Sequence, residues 1–181
     1  MFRNILIGFV SAMAAFLTYV AMQPAAYMVT RTATIGAPPQ AVFPHVNSFR
    51  KWDAWSPWAK KDPKAKGEHS GPESGEGASF AWSGNKDVGE GRMTLVESKP
   101  NERVGIKLDF TTPMQGTSHA TIALKPEGAG TSVTWSLSGE NGFVGRAIMM
   151  LMGIKLDKMI GDDYEKGLAN LKAVVEAGPK S

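Results

Sequence analysis

Residues 143–177 have the sequence FVGRAIMMLMGIKLDKMIGDDYEKGLANLKAVVEA. Charged side chains mostly occupy the other sides of this segment. Apolar side chains recur on one face at helical spacing: Met149, Met152, Leu156, Ile160, Tyr164, Leu171 and Val174. Glycines flank the segment and no proline interrupts it. The pattern predicts one long helix of about thirty residues, roughly 45 Å in length. Such a helix needs a broad apolar surface to pack on.

The middle of the chain alternates apolar and polar residues, which predicts β-strands with one buried face. The predicted strands span 29–35, 76–83, 88–97, 103–110, 117–124 and 131–139. Turn-forming residues separate them, so neighbouring segments are expected to form hairpins. The sequence therefore predicts an α+β fold, in which a curved antiparallel sheet of six or seven strands wraps around the long C-terminal helix.

A short helix is predicted over residues 40–49, after the first strand. Pro44 lies inside it and lacks the N–H that a helix requires, so we expect a kink or break near His45. Three tryptophans then follow at a spacing of three: Trp52, Trp55 and Trp58. They predict either a hydrophobic plug or the lip of an apolar pocket. The second interpretation rests on the amphipathic indole, whose polar N–H can face water at a pocket entrance.

Several short motifs resemble those of a known family. They are IGAPPQAVF at 35–43, WDAWSPW at 52–58 after Phe49, WSGN at 82–85, GEGRM at 89–93, GTSVTW at 130–135 and LDKMIGDDYEKGL at 156–168. Through them the chain resembles the START-like superfamily, in its bacterial SRPBCC or polyketide cyclase/dehydrase-like branch, from about Thr30 to Ala177. The resemblance implies a helix-grip fold. Such domains bind lipids and other apolar molecules, and only some catalyse reactions. Pro44 departs from the family's pattern.

An uncharged apolar run extends from Ile5 to Met22. As a helix it would rise about 27 Å, close to the roughly 30 Å hydrocarbon core of a bilayer. It lacks a clean small-x-small cleavage site, so residues 1–28 are predicted to be a membrane anchor rather than a cleaved signal peptide, followed by a domain over 29–178. Arg3 favours an inside N-terminus. The expected location is the cytoplasmic membrane, single-pass, with the domain on the periplasmic or outer side.

Composition excludes several classes of function. The chain has no cysteine, which excludes disulfides and thiol chemistry. Its net charge of +3 is spread along the sequence, and no nucleic-acid footprint is present. The densest basic cluster is interpreted as a solvated loop, or alternatively as a contact to anionic lipid headgroups: Lys60, Lys61, Lys64 and Lys66. The three histidines have no ligand spacing and no nucleotide motif occurs, so neither a metal nor a cofactor is expected.

A pocket is predicted between the sheet and the C-terminal helix. Its expected lining is apolar except for one carboxylate: Trp52, Trp55, Phe80, Trp82, Leu108, Phe110, Trp135, Met152, Leu156, Ile160 and Asp163. Asp163 falls near the centre of the helix's apolar stripe, so it must be hydrogen-bonded, paired or protonated. It is predicted to be a strut held by an indole, a backbone N–H, Arg92 or Arg103, or else the polar anchor of the pocket. It is also the candidate catalytic residue if the protein has an activity.

Three functions remain open at this point. The favoured one is a membrane-anchored module that holds a hydrophobic small molecule or lipid between the sheet and the C-terminal helix. The alternatives are a protein-interaction domain with a filled core and a cyclase or dehydratase-type enzyme. An internal cavity would argue against the filled core, because side chains that fill the grip leave no room for a ligand.

Overall fold

The computed structural model describes residues 2–62 and 64–178. Its helices are α1 (Phe2–Met22), α2 (Pro39–Val46), α3 (Phe49–Trp52), α4 (Phe143–Leu151) and α5 (Leu156–Glu176), with a short 3₁₀ turn at Trp58–Lys60. Its strands are β1 (Ala26–Ile35), β2 (Lys66–Ser70), β3 (Ser79–Ser83), β4 (Glu90–Lys99), β5 (Arg103–Thr112), β6 (Gly116–Glu127) and β7 (Gly130–Glu140).

The strands form one antiparallel sheet in the order β1-β7-β6-β5-β4-β3-β2. Consecutive strands from β2 to β7 are neighbours, and β1 pairs with β7 from Ala26 opposite Glu140 to Ile35 opposite Thr131. The sheet curves around α5, which packs chiefly against β1. These features confirm the predicted α+β helix-grip fold. Because α5 lies towards the β1 edge, the opposite half of the sheet is left to enclose a cavity.

The C-terminal helix is interrupted, so the prediction of one continuous helix over 143–177 is wrong. α4 ends at Leu151 and α5 begins at Leu156. Gly153 between them has φ +64°, a left-handed conformation that glycine adopts at little cost and that commonly ends a helix. The apolar spacing continues across the break, which is why periodicity alone did not reveal it.

The segment Lys66–Ser70 is an edge strand that the sequence did not predict, and it includes Lys66 of the basic cluster that we interpreted as a solvated loop. It pairs with β3 from Lys66 opposite Ser83 to Ser70 opposite Ser79. Its residues are mostly exposed, so the segment shows no apolar alternation by which it could be recognised. Charged residues on an exposed edge also protect it from pairing with other chains.

The helix predicted over 40–49 is broken, but slightly later than Pro44 suggested. α2 continues through Pro44 and His45 to Val46 and α3 begins at Phe49, so the break lies at residues 47–48, two residues beyond His45. The two short helices cover one end of the sheet, and their buried apolar residues join the core: Val42, Phe43, Val46, Phe49 and Trp52.

The hydrophobic core lies between the sheet, α2, α3 and α5. In the described parts of the chain, its cluster of buried residues runs from Ile35 to Val175 and takes no residue from α1. α1 packs against α4 instead. With a mean hydropathy of 2.1, α1 is long and apolar enough to cross a membrane, although a signal sequence would meet the same criterion.

Candidate functional site

A cavity of about 630 Å³ lies between the concave face of the sheet and the first turns of α5. The sheet contributes apolar and aromatic side chains from β3 to β7: Phe80, Trp82, Met93, Ile106, Leu108, Phe110, Ala120, Trp135 and Leu137. Met159, Ile160 and Tyr164 form the wall on α5, and Phe49, Trp52 and Trp58 close one end. The interior is therefore almost entirely hydrocarbon and aromatic surface.

The cavity exists because small residues face large ones across the sheet. Ile106 lies opposite Ala120, Leu108 opposite Ser118, and Phe110 opposite Gly116. Each of these bulky side chains on β5 thus faces a small residue on β6 that fills little of the space between the sheet and α5. The space that remains is not filled from α5, since that helix packs most closely on β1 at the far edge of the sheet.

Four of the five tryptophans line this cavity. Trp135 stacks on Tyr164 with ring centroids 3.9 Å apart and an interplanar angle of 13°. Trp52 and Trp58 meet Trp135 edge-on, at 5.7 Å and 5.9 Å, a favourable geometry for aromatic pairs. This cluster fixes the wall at the α3 end of the cavity as a rigid surface.

Trp55 is the plug of the tryptophan segment, and Trp52 and Trp58 are its cavity-lining members. The Trp55 side chain is fully buried, and its Nε1 donates a hydrogen bond to the backbone oxygen of His45 at 3.1 Å. Trp52 Nε1 donates to the backbone oxygen of Val46 at 3.2 Å. Both interpretations offered by the sequence thus apply, to different residues of one motif.

The ionisable side chains of the described lining are all exposed or half-buried: Asp53, Asp62, Lys66, His69, Lys86 and Asp87.

The segment that follows the 3₁₀ turn is tied to two other parts of the fold. Asp62 Oδ2 accepts a hydrogen bond from the backbone N–H of Asn85 at 2.7 Å, and Lys61 Nζ pairs with Asp163 Oδ2 at 2.5 Å. The segment is thereby fastened to the β3–β4 turn and to α5.

Asp163 is buried, as its helical phase predicts, with 8% of its side chain exposed. Its partner is Lys61, which is none of the donors that we expected. Arg92 instead reaches the hydroxyls of Ser70 and Ser79, and Arg103 pairs with Glu97. The contact with Lys61 makes Asp163 a strut between α5 and the segment beside the cavity mouth.

Most of the predicted pocket residues come together around the cavity: Trp52, Phe80, Trp82, Leu108, Phe110, Trp135 and Ile160. The described lining does not include Trp55, Met152, Leu156 or Asp163. Met152 falls in the break after α4 and is 69% exposed, because the helix that would have aimed it at the sheet stops one residue earlier. Leu156 is the half-buried first residue of α5.

The sequence-based prediction missed several lining residues, chiefly Tyr164, Met93, Ile106, Ala120 and Leu137. All of them belong to the inward strand sets or to the apolar stripe of the C-terminal helix. Parity and helical phase could therefore have placed them on the inner face. Those patterns cannot tell which inward residues border a void and which contact one another.

Among the buried residues of the described lining, the polar groups are few and uncharged. Burial raises the pKa of the Tyr164 phenol far above its ordinary value, so this group stays protonated and is a hydrogen-bond donor. Trp135 is buried, and its Nε1 has no hydrogen-bond partner among the described residues. Over the same residues, no cluster of three histidine or carboxylate side chains that could hold a metal is present.

The chain belongs to the family described as polyketide cyclase / dehydrase and lipid transport, which it matches over residues 27–176. This places it in the SRPBCC branch of the START-like superfamily, as its motifs indicated. The match includes the whole cavity and leaves out α1. No curated protein matches the chain.

Solved structures share the fold at low sequence identity. Protein MLL2253 from Mesorhizobium loti is 15% identical, with a TM-score of 0.61 over 85% of this chain and 100% of its own. TTHA0849 from Thermus thermophilus is 18% identical, with a TM-score of 0.60 over 85% of this chain and 100% of its own. Ara h 8.0201 is 12% identical, with a TM-score of 0.57 over 84% of this chain and 99% of its own. At these identities the comparison shows the fold alone.

Proposed function

We propose that this protein is a membrane-anchored binding module for a hydrophobic small molecule or lipid, held between the sheet and α5. The observation that carries the proposal is the cavity of about 630 Å³ with its apolar and aromatic lining. Its volume falls within the range of roughly 300–1,000 Å³ that ligand sites occupy. A filled core, which the protein-interaction alternative requires, would leave no such space.

The proposed binding residues are those that border the cavity: Trp52, Phe80, Trp82, Leu108, Phe110, Trp135, Ile160 and Tyr164. Trp52 and Trp82 already donate their indole N–H groups to backbone oxygens, so the Tyr164 hydroxyl is the donor that would suit a ligand with a neutral oxygen acceptor on an otherwise apolar body. The carboxylates and the imidazole of the described lining are exposed or half-buried, and its buried residues offer no positioned group that exchanges protons near neutral pH, which favours binding over general acid–base catalysis.

A fluorescence titration tests the binding proposal. The domain from Ala26 to Gly178 is suitable, since its core takes no residue from α1. With four tryptophans on the cavity wall, palmitic acid or decylubiquinone should change the tryptophan emission and saturate at micromolar concentration. No change up to high micromolar concentrations of either compound, in a domain with a cooperative thermal transition, would favour the filled-core alternative.

The anchor is the second part of the proposal. We infer that α1 remains attached to the domain over 29–178 and crosses the cytoplasmic membrane once, with the domain on the periplasmic or outer side. The support is the length and hydropathy of α1 and the position of Arg3 in its first turn. N-terminal sequencing and fractionation test attachment: a soluble periplasmic chain beginning between Gln23 and Val29 would refute it. A domain shielded from protease in spheroplasts would reverse the orientation.

A further inference from the structure

α4 exposes an apolar face that the folded domain does not cover. Val144, Ile148 and Leu151 recur at the helical spacing that places side chains on one face, and all three are exposed. Val144 is 66% exposed and Leu151 is 73% exposed. Within α4, the one residue that is buried is Gly145. An exposed helix face of this kind marks a contact with a partner.

The charge of the segment fits a phospholipid surface. Between Glu140 and Asp157 the sequence holds no carboxylate, whereas Arg146 and Lys155 both lie in this interval. Arg146 lies on the side of α4 away from Val144, and Lys155 follows the helix. An apolar face with basic and no acidic residues elsewhere in the segment is the composition of helices that lie in the headgroup region, where the apolar side enters the acyl boundary and cations meet anionic headgroups. A soluble partner would need no such absence of acidic residues.

The position of α4 beside α1 identifies the bilayer as the surface it meets. α4 packs against α1, and the more buried side chains of α1 are Phe16 and Val20, in its last two turns. From Phe16 to Met22 the helix rises only about 9 Å. If α1 spans the membrane, α4 therefore lies at the depth of the headgroups on the side that carries the domain.

The same surface reaches the cavity. A Cβ atom at Gly145 would lie 3.6 Å from the end of the Met114 side chain, so the loop after β5 rests on α4. Met114 is itself exposed, and the preceding residues Thr112 and Pro113 line the cavity. This loop thus connects the cavity wall to α4 at Gly145, the buried residue next to the exposed Val144.

We propose that α4 lies in the headgroup region of the leaflet next to the domain, and that the phospholipid surface covers its apolar face. This rests on the proposed anchoring by α1 and goes beyond it, because an anchor alone would let the domain move freely on its tether. Docked in this way, the loop at Met114 faces the membrane, and an apolar ligand passes between bilayer and cavity beside α4 without crossing open water.

Spin labels on single cysteines test the docking in the full-length chain, which has no cysteine of its own. The labelled variants are Leu151→Cys on α4, Phe9→Cys on α1 as the membrane reference, and Lys125→Cys on β6. Lys125 pairs with Ser132 of β7, which pairs with Thr34 near the end of β1. That end of β1 is about 30 Å from the end that follows α1. In liposomes of phosphatidylcholine and phosphatidylglycerol, accessibility to oxygen is compared with accessibility to a water-soluble nickel chelate.

The proposal predicts that the labels at 9 and 151 are both more accessible to oxygen than to the chelate, while the label at 125 is more accessible to the chelate. A label at 151 that behaves like the one at 125, with position 9 in lipid, would overturn the docking and leave the anchor intact. Position 9 in water as well would overturn both. Spin–spin broadening at 151 that disappears on dilution with unlabelled protein would assign the surface to a second copy.

Discussion

Among single residues, the ion pair between Lys61 and Asp163 links the segment after the 3₁₀ turn to α5. Helical phase correctly predicted that Asp163 faces inward, because the phase depends only on its spacing from Leu156 and Ile160. The partner could not be predicted in the same way. Lys61 lies in a segment without regular spacing, and the sequence does not say which loop crosses a given face of a helix.

Replacing Asp163 with asparagine should lower stability and leave ligand binding intact. The buried hydrogen bond would be poorly satisfied, at a cost of about 1–3 kcal/mol, and Lys61→Met should have an effect of the same sign. Thermal unfolding and the palmitic acid titration measure the two properties. Asp162→Asn is the matched control, since the half-exposed carboxylate of Asp162 pairs with Lys158 on the surface of the same helix. An unchanged Tm with lost binding would instead make Asp163 the polar anchor of the ligand.

His45 should make stability depend on pH. Its partial burial, together with the nearby Lys51 charge, lowers the pKa of the imidazole. Between that lowered pKa and the ordinary value of about 6.5, the unfolded chain binds more protons than the folded one, so stability falls as the pH is lowered through this interval. The Tm of the wild type should therefore fall more steeply below pH 6.5 than that of His45→Gln. Equal slopes would show that the imidazole is as well solvated as in the unfolded chain.

Among the elements, the relation of α5 to the sheet depends on glycines at its contact points. A Cβ atom at Gly167 would lie 2.7 Å from the Trp135 ring and 3.1 Å from Pro57, so the helix can approach the aromatic cluster only without a side chain there. At Gly161 the atom that a Cβ would meet is the end of the Arg31 side chain. Arg31 binds Asp157 and Glu165 on the surface of α5.

Gly167→Ala should therefore destabilise the domain, and Gly161→Ala should change its stability little. Overpacking against a fixed ring costs about 1–3 kcal/mol, more than the roughly 0.5–1 kcal/mol that alanine contributes in a helix interior. At Gly161 the guanidinium can move aside, and exposed ion pairs contribute little. Denaturant unfolding of both variants checks this. Equal midpoints would mean that α5 does not rest on Trp135 in the way described.

The elements also differ in how far the sequence predicts them. Strands with one wet and one buried face, such as β6 and β7, show period-two alternation and were predicted within a few residues. β2 has no buried face, so its pattern carries no signal. The break between α4 and α5 depends on the conformation of Gly153, and helical spacing on either side of it is the same. Exposure thus hides β2 from the sequence pattern, and the backbone conformation at Gly153 hides the break between α4 and α5.

At the level of the whole molecule, an apolar N-terminal helix, α1, precedes a domain that holds an apolar cavity. The family and its fold were indicated by sequence motifs, and the inward face of the sheet was predicted from parity. A pocket between the sheet and the C-terminal helix was also predicted, but part of its lining was not, because the lining depends on the offset of α5 towards β1 and on small residues such as Ala120 opposite Ile106. These are three-dimensional relations that no single segment records.

If the cavity holds an apolar molecule, mass spectrometry should detect that molecule in the purified domain from Ala26 to Gly178. Ala120→Phe places a ring inside the cavity, whereas Ala123→Phe makes the same change on the outer face of β6. Leu108→Trp is a second filling variant. We expect an apolar compound to co-purify with the wild type and Ala123→Phe, and to be lost from folded Ala120→Phe or Leu108→Trp. Equal amounts in all four proteins, or none in any of them, would contradict the account.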